Sequence, residues 1–171
     1  SNRMLWMTTW NNSNLQFGIS YDSQVSDQTS VSGLGTHWGH TDWDNFGLGR
    51  HKNWMEVQKV LEGRQFQRAW LNVSTGKEMY RWHADHNLNE AKSILYYPNL
   101  KWNSEWDGQT VFKDRDAKNY EYCVDYVPGR VVVFDSIIPH KAVHGNHEAP
   151  CHRMIINAVF WSDNTDLPLE F

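Results

Sequence analysis

The sequence has 171 residues, which is enough for one domain with a hydrophobic core but short for two. Hydrophobic residues make up 40% of the chain and aromatic residues 14%, with 10 tryptophans, so we expect a globular protein with a ring-lined cleft. The net charge of −4 argues against a protein that binds nucleic acid over a broad basic surface.

The cysteines and the hydropathy pattern predict the compartment. Cys123 and Cys151 form neither a disulfide framework nor a CxxC zinc site. We therefore expect two reduced thiols in an intracellular, cytoplasmic protein. No apolar run approaches the ~18 residues of a membrane span and no signal peptide is visible at the start, so a membrane is not expected as a partner.

In the N-terminal part of the chain, the hydrophobic residues do not recur with the period of a helix or a strand. The segment Ser32–Arg50 is rich in Gly, Trp and His and is predicted to be a long loop. Loops of this length in compact domains are often lids or binding loops. Trp38 and Trp43 make this segment our candidate lid over a substrate, with an ordinary surface loop as the alternative.

From residue 53 onward the pattern is regular. The segment Asn53–Gly63 is predicted to be a helix, because Asn53 can cap it, its apolar residues share one face and Gly63 can stop it. Short strands with turn signals between them, Pro128-Gly129 among these, follow it and predict a mostly β (α+β) jelly roll or barrel with a flanking helix. The predicted strands are 67–73, 78–84, 92–98, 108–114, 120–127, 130–136, 140–145 and 152–161.

Metal-ligand chemistry gathers at the end of one predicted strand. In "YRWHADHNLNE", His83 and Asp85 stand two residues apart, so strand alternation places them on one face. His140 follows the apolar strand "RVVVFDS" after a short bend. Two histidines and one carboxylate with open positions are the ligand set of non-haem iron centres. Ordinary polar residues at a strand end are the alternative.

The order of these features resembles the prolyl-4-hydroxylase-like branch of the Fe(II)/2-oxoglutarate-dependent oxygenases. The His-x-Asp pair is followed by "SILYYPNLKWNSEWDGQTVF", then by "PGRVVVFDSIIPHKAV", then by a strand that carries Arg153. By this resemblance, His83, Asp85 and His140 correspond to the catalytic iron ligands. Arg153 corresponds to the residue that pairs with the distal carboxylate of 2-oxoglutarate, and Tyr97 to a tyrosine that adds a hydrogen bond to it.

The last predicted strand supports this role of Arg153 independently. Arg153, Ile155 and Asn157 share one face of an apolar strand. A charge on such a face needs a partner, because an unpaired buried charge is costly, and a dicarboxylate matches a guanidinium two-on-two. An arginine that reaches water at a sheet edge is the alternative. We count Asn157 among the cofactor-binding residues with Arg153 and Tyr97.

The resemblance also implies an activity. It implies a dioxygenase that uses Fe(II) and 2-oxoglutarate, with ascorbate as an optional reductant, to hydroxylate an aliphatic C–H group and release succinate and CO2. The expected substrate is a prolyl or other amino-acid or peptidyl side chain, carried by a small molecule or a peptide. The implied fold is a double-stranded β-helix in a single domain over 1–171, with the core at 67–161 and an N-terminal loop, lid and helix in 1–66.

Two other interpretations stay open on the sequence alone. A metal-dependent cupin enzyme would use a similar cluster, but Asp85 stands where a second histidine would be expected. A non-catalytic β-sandwich could grip a sugar or a peptide with its tryptophan-rich loops. A DNA-repair oxygenase fits poorly, because Arg153 is a lone arginine on a strand where that class carries two.

The chain departs from the family pattern in two places. Arg153 follows His140 by 13 residues, a longer connection than the family usually has. This leaves His144 as a rival third ligand, whereas His86, His147 and His152 are expected at the surface. The second departure is the turn Trp106-Asp107-Gly108, where the family usually has Trp-Gly-Gly.

Overall fold

The computed structural model describes residues 5–9, 36–40, 54–74, 81–113 and 121–162. Within these ranges the chain forms one α-helix, one short 3-10 helix and nine strands. Their bounds are β1 Leu5–Thr9, β2 Thr36–His40, α1 Trp54–Leu61, β3 Gln65–Ser74, β4 Lys92–Tyr96, the 3-10 helix Ser104–Trp106, β5 Thr110–Lys113, β6 Glu121–Val124, β7 Arg130–Asp135, β8 His140–Ala142 and β9 Arg153–Trp161.

The strands form two antiparallel sheets. The larger sheet has the order β1-β7-β4-β9-β3-β2, and the smaller sheet has the order β6-β5-β8. An isolated bridge between His83 and His140 adds the segment around residue 83 to the edge of the smaller sheet. The mostly β jelly roll predicted from the sequence is confirmed.

The apolar core lies in two layers, because strand alternation gives the large sheet two buried faces. The inner layer fills the space between the sheets and contains Leu95, Tyr97, Phe112, Val124, Tyr126, Val132, Phe134 and Ile155. The outer layer lies between the large sheet and α1 and contains Val57, Leu61, Ala69, Ile94, Tyr96, Val131, Val133, Ile156, Ala158 and Phe160. The helix therefore packs on the outside of the large sheet, as predicted.

Helix α1 forms where the apolar period predicts it. Val57 and Leu61 are buried against the sheet and lie four residues apart, on one face of the helix. The helix ends at Leu61, and Glu62 and Gly63 then take positive φ values of 52° and 78°. Gly63 accepts this left-handed backbone without strain. The predicted cap Asn53 lies outside the described residues. No helix in the described part of the chain is long and apolar enough to cross a membrane.

Three segments differ from the sequence prediction. Residues 36–40, predicted as loop, form strand β2 at the edge of the large sheet, with Trp38 in register with Leu71. Strand β1 was not predicted. Of the predicted strand 78–84, the structure describes residues 81–84, and these pair only through the single bridge at His83. Edge strands bond to one neighbour, so a short segment without apolar alternation can still pair there. Trp43 and most of the candidate lid lie outside the described residues.

The packing of α1 predicts the effect of shortening its buried face. Leu61 is 2% exposed and Met55 on the same helix is 68% exposed. Leu61→Ala is expected to lower the free energy of unfolding by about 2–5 kcal/mol, because it leaves a cavity under the sheet. Met55→Ala is the control and is expected to change it by less than about 0.5 kcal/mol. Urea unfolding of both variants checks this, and equal losses would contradict the packing.

Candidate metal centre and its cavity

Three side chains predicted from the sequence meet at one point. The Nε2 atoms of His83 and His140 lie 3.8 Å and 3.7 Å from Oδ1 of Asp85. The ligand atoms of the three residues all lie within 4.8 Å of one another. Two ligands of one ion at about 2.1 Å each can be at most about 4.2 Å apart, so little adjustment is needed to hold a metal.

The backbone brings these residues together. His83 N donates to His140 O at 3.1 Å, and His140 N donates to His83 O at 2.9 Å. Asp85 N donates to Ser136 O at 2.9 Å, just after β7. On the opposite face of the segment, Trp82 packs under the ammonium group of Lys141, which lies 4.4 Å from the ring centroid. The segment is thus fixed to the small sheet from both sides.

Both imidazole rings present the same nitrogen to the centre. His83 Nδ1 lies 3.0 Å from Arg81 O, and His140 Nδ1 lies 3.1 Å from Ile138 O. Since a carbonyl only accepts, each Nδ1 carries the proton and each Nε2 offers its lone pair to a metal. Burial lowers the pKa of His140, and the Asp85 carboxylate opposes this shift. His140 is therefore neutral at neutral pH, which is the form that binds metals.

The Asp85 carboxylate is buried and only half satisfied. Its side chain is 2% exposed, and Asn157 Nδ2 donates to Oδ1 at 3.1 Å. Its other oxygen, Oδ2, is buried without a hydrogen-bond partner among the described residues. Such an atom costs free energy unless a cation or a donor meets it, so the donor set fits a divalent metal ion. Asn157, predicted to bind the cofactor, here contacts a predicted metal ligand.

The cluster opens into a cavity of about 310 Å³ between the two sheets. The cavity reaches from the exposed residues Arg81 and His83 to Arg153, which is 3% exposed. Its lining residues are Trp70, Asn72, Arg81, His83, Ala84, Asp85, Leu95, Thr110, His140, Ala142, Arg153, Ile155 and Asn157. The candidate metal cluster and a buried arginine therefore face the same cavity.

Arg153 is held rigidly at the buried end. Its Nε donates to Gly108 O at 2.7 Å and its Nη2 donates to Thr110 Oγ1 at 3.1 Å. The guanidinium carbon lies 5.5 Å from the ring centroid of Tyr126, which stacks on Tyr97 at 4.6 Å. These contacts leave the guanidinium at one fixed position in the cavity wall.

Tyr97 lies behind the wall rather than in it. The residue is fully buried, and its hydroxyl donates to Thr110 Oγ1 at 2.9 Å. Burial raises the pKa of Tyr97, so the phenol stays protonated and keeps this bond. Thr110 is the residue of this pair that lines the cavity.

Sequence analysis did not single out Thr110, Trp70, Asn72 or Arg81. Alternation along β3 would place Trp70 and Asn72 on one face, and Arg81 shares the face of His83 two residues later. Both alternation patterns can be read from the sequence, but neither shows which face of β3 is turned toward the cluster of His83, Asp85 and His140.

The turn Trp106-Asp107-Gly108, which departs from the family pattern, accommodates Asp107 in a strained backbone conformation. Asp107 has φ 59° and ψ −140°, and Gly108 has φ 94°. A Cβ at Gly108 would lie 2.9 Å from Trp102 Cζ2, so the second glycine position cannot take a side chain without displacing that ring. The turn keeps the glycine whose carbonyl binds Arg153.

The other histidines considered from the sequence do not belong to the metal-ligating group found in the described part of the chain. His144 is half-buried and is not part of the metal-ligating group in the described residues. His147 and His152 are exposed, as predicted. His86 is half-buried instead, with its ring 4.8 Å from that of Trp161, and burial lowers its pKa.

Comparison with known proteins identifies one family. The model of the 2OG-Fe(II) oxygenase superfamily matches residues 65–161, more than half of the chain. A comparison with curated protein sequences finds no significant match. The family match therefore covers the whole run from β3 to β9 that builds the cavity.

Solved structures share the fold at low sequence identity. A prolyl-4-hydroxylase from Pseudomonas putida has a TM-score of 0.55 at 19% identity, covering 75% of this chain and 71% of that one. A prolyl hydroxylase from Trichoplax adhaerens, in complex with a peptide fragment of a hypoxia inducible factor, has a TM-score of 0.53 at 18% identity, covering 77% and 66%. EctD from S. alaskensis, with 2-oxoglutarate and 5-hydroxyectoine, has a TM-score of 0.59 at 14% identity, covering 82% and 62%. The chain thus spans roughly two thirds of their length.

The geometry predicts which histidine completes the metal centre. His140→Ala is expected to weaken Mn(II) binding more than about 100-fold, because it removes one of three ligands. His144→Ala is the matched control and is expected to bind Mn(II) like the unchanged protein. Titration of free Mn(II) by electron paramagnetic resonance measures both. Loss of binding in His144→Ala with retention in His140→Ala would show that the third ligand is misassigned.

Proposed function

Because the chain belongs to the 2OG-Fe(II) oxygenase superfamily, we propose that it hydroxylates an aliphatic C–H group of an amino-acid or peptidyl side chain, prolyl first, and releases succinate and CO2. The protein is a 2-oxoglutarate-dependent dioxygenase that uses Fe(II), which leaves no place for the non-catalytic binding module considered from the sequence. One observation carries the proposal: the His83, Asp85 and His140 cluster and the buried Arg153 face the same cavity.

The three clustered residues are the proposed iron ligands. Two imidazoles and one carboxylate would hold an iron ion and leave room at it for further ligands. When bound, iron and 2-oxoglutarate together activate dioxygen and supply the oxidant. Asn157 holds the Asp85 carboxylate in place through Oδ1, so that Oδ2 remains available.

Arg153 is the proposed partner of the distal carboxylate of 2-oxoglutarate. Its fixed guanidinium offers donors to a carboxylate in a buried setting, where such bonds are strong. Thr110 assists directly. Its hydroxyl oxygen accepts from both Tyr97 and Arg153, so its own hydrogen is free to be donated into the cavity. Tyr97 then acts through Thr110, by fixing the direction in which that hydroxyl donates.

The free thiols support an intracellular, cytoplasmic location as part of this proposal. Cys123 and Cys151 are both exposed and unpaired. Exposed thiols persist in the reducing cytosol, whereas oxidising compartments favour disulfides.

Release of succinate tests the proposed function. The protein with Fe(II), 2-oxoglutarate and ascorbate is assayed alone and with free L-proline, other free amino acids, proline-containing peptides and nucleotides. We expect slow release without a substrate and faster release with a member of the amino-acid or peptide group. Asp85→Ala is the inactive control. Stimulation by nucleotides alone, or release that does not need Fe(II), would contradict the proposal.

The assignment of Arg153 to 2-oxoglutarate predicts that replacing this residue changes the KM for 2-oxoglutarate without changing the affinity for Fe(II). Arg153→Lys is expected to raise the KM for 2-oxoglutarate about tenfold or more, because it loses the two-pronged contact, while Fe(II) affinity stays within about twofold. Thr110→Val removes one neutral donor and is expected to raise the KM by a smaller factor.

Uncoupled 2-oxoglutarate turnover and a metal titration measure these constants. Lys101→Gln removes a charge from an exposed residue outside the cavity and is the matched control. An unchanged KM in Arg153→Lys, or an equal loss of iron affinity, would overturn the assignment.

A further inference from the structure

The cavity contains a second arginine that neither the metal nor 2-oxoglutarate uses in the proposed function. Arg81 lines the cavity two residues before His83, so an extended chain places both side chains on the same face. Its side chain is exposed, whereas Arg153 is buried at the other end. Within the described ranges, the guanidinium of Arg81 makes no hydrogen bond or ion pair.

A neighbouring arginine shows what an engaged side chain looks like here. Arg68 lies close to the same segment, but its Nη2 donates to Asp85 O at 2.8 Å and its guanidinium carbon lies 5.0 Å from the ring centroid of Trp70. Arg68 therefore has a structural role in holding the segment. Arg81 has no such contact within the described ranges, and its donors are available to a ligand.

The charge of the cavity points to an anionic ligand. Its lining contains two arginines and one acid, Asp85, which belongs to the metal cluster. This is the opposite of the chain as a whole, whose net charge is −4. A positive wall in an acidic protein raises the local concentration of anions and orients them. One anion, 2-oxoglutarate, is assigned to the buried arginine, which leaves the exposed arginine for another.

We propose that Arg81 binds the carboxylate of the primary substrate, so that the enzyme acts on a free amino acid or similar small carboxylic acid rather than on an internal residue of a peptide. A single guanidinium matches one carboxylate with two parallel hydrogen bonds. Alternate residues of an extended chain lie about 6–7 Å apart, so a carboxylate on Arg81 places carbons a few bonds away beside the metal centre. Trp70, on β3 of the large sheet, lines the same cavity and offers an apolar ring to these carbons.

This proposal rests on the proposed function, and one experiment separates the two. The protein is loaded with Mn(II) and saturating 2-oxoglutarate, and proton relaxation is measured for 2-oxoglutarate and for an added probe. The probe is propionate, and propionamide is its neutral counterpart of the same shape. Both are compared in the unchanged protein, in Arg81→Gln, in Arg81→Lys and in the exposed control Lys101→Gln.

We expect Mn(II) to enhance the relaxation of propionate but not of propionamide in the unchanged protein and in Lys101→Gln. Arg81→Gln is expected to reduce the enhancement for propionate about tenfold, and Arg81→Lys to restore part of it, because the charge returns without the planar fork. The enhancement for 2-oxoglutarate is expected to be the same in all four proteins.

Several results would overturn the proposal. Equal enhancement of propionate in Arg81→Gln, equal enhancement of propionamide, or none for either probe in the unchanged protein would each exclude a carboxylate site at Arg81 while leaving the oxygenase function intact. Stronger enhancement of methyl phosphate than of propionate would assign the residue to phosphate esters instead. Absence of enhancement for 2-oxoglutarate itself would sink both this proposal and the proposed function.

Discussion

The site depends on two backbone hydrogen bonds that join His83 to His140. Each residue donates its N–H to the carbonyl of the other, at 3.1 Å and 2.9 Å, and this pairing fixes two distant parts of the chain in register. Because side chains alternate across a strand, a slip of one residue would turn one imidazole away from the Asp85 carboxylate. From residue 81 onward, where the structure describes this segment, it makes no second bridge to the small sheet, so the bond from Asp85 N to Ser136 O and the packing of Trp82 complete its support.

The two ends of the cavity differ in exposure to water, and this difference suggests the order in which 2-oxoglutarate and the substrate bind. At the buried end Arg153 is fixed by Gly108, by Thr110 and by the ring of Tyr126, so a carboxylate there is shielded from water. At the exposed end Arg81 is solvated, and its interaction with an anion is screened by salt. Both molecules are consumed at each turnover, and the depth of the cavity favours binding of 2-oxoglutarate before the substrate.

The long connection between His140 and Arg153 leaves both ends of the cavity in place. Its extra residues fold back on the 3-10 turn, where Asn146 N donates to Trp106 O at 2.9 Å and Asn146 Nδ2 donates to Glu105 O at 2.6 Å. Gly145 lies so close to the indole of Trp102 that a Cβ there would come within 3.0 Å of it. The additional length is absorbed by the surface turn, and β8 and β9 keep their pairing with the two sheets.

The sequence by itself determined the β character of the chain, the helix that packs outside it, the shared face of His83 and Asp85, and the face of Arg153 and Asn157. These follow from periodicity within one element, which can be read from consecutive residues. The family resemblance favoured His140 over His144, and only the tertiary structure placed its imidazole beside His83 and Asp85, placed Asn157 against Asp85 and put Thr110 between Tyr97 and the cavity. It also decided that residues 36–40 form an edge strand. These features depend on register between strands remote in sequence, and register is set by hydrogen bonds and packing across the sheets, which no local pattern records.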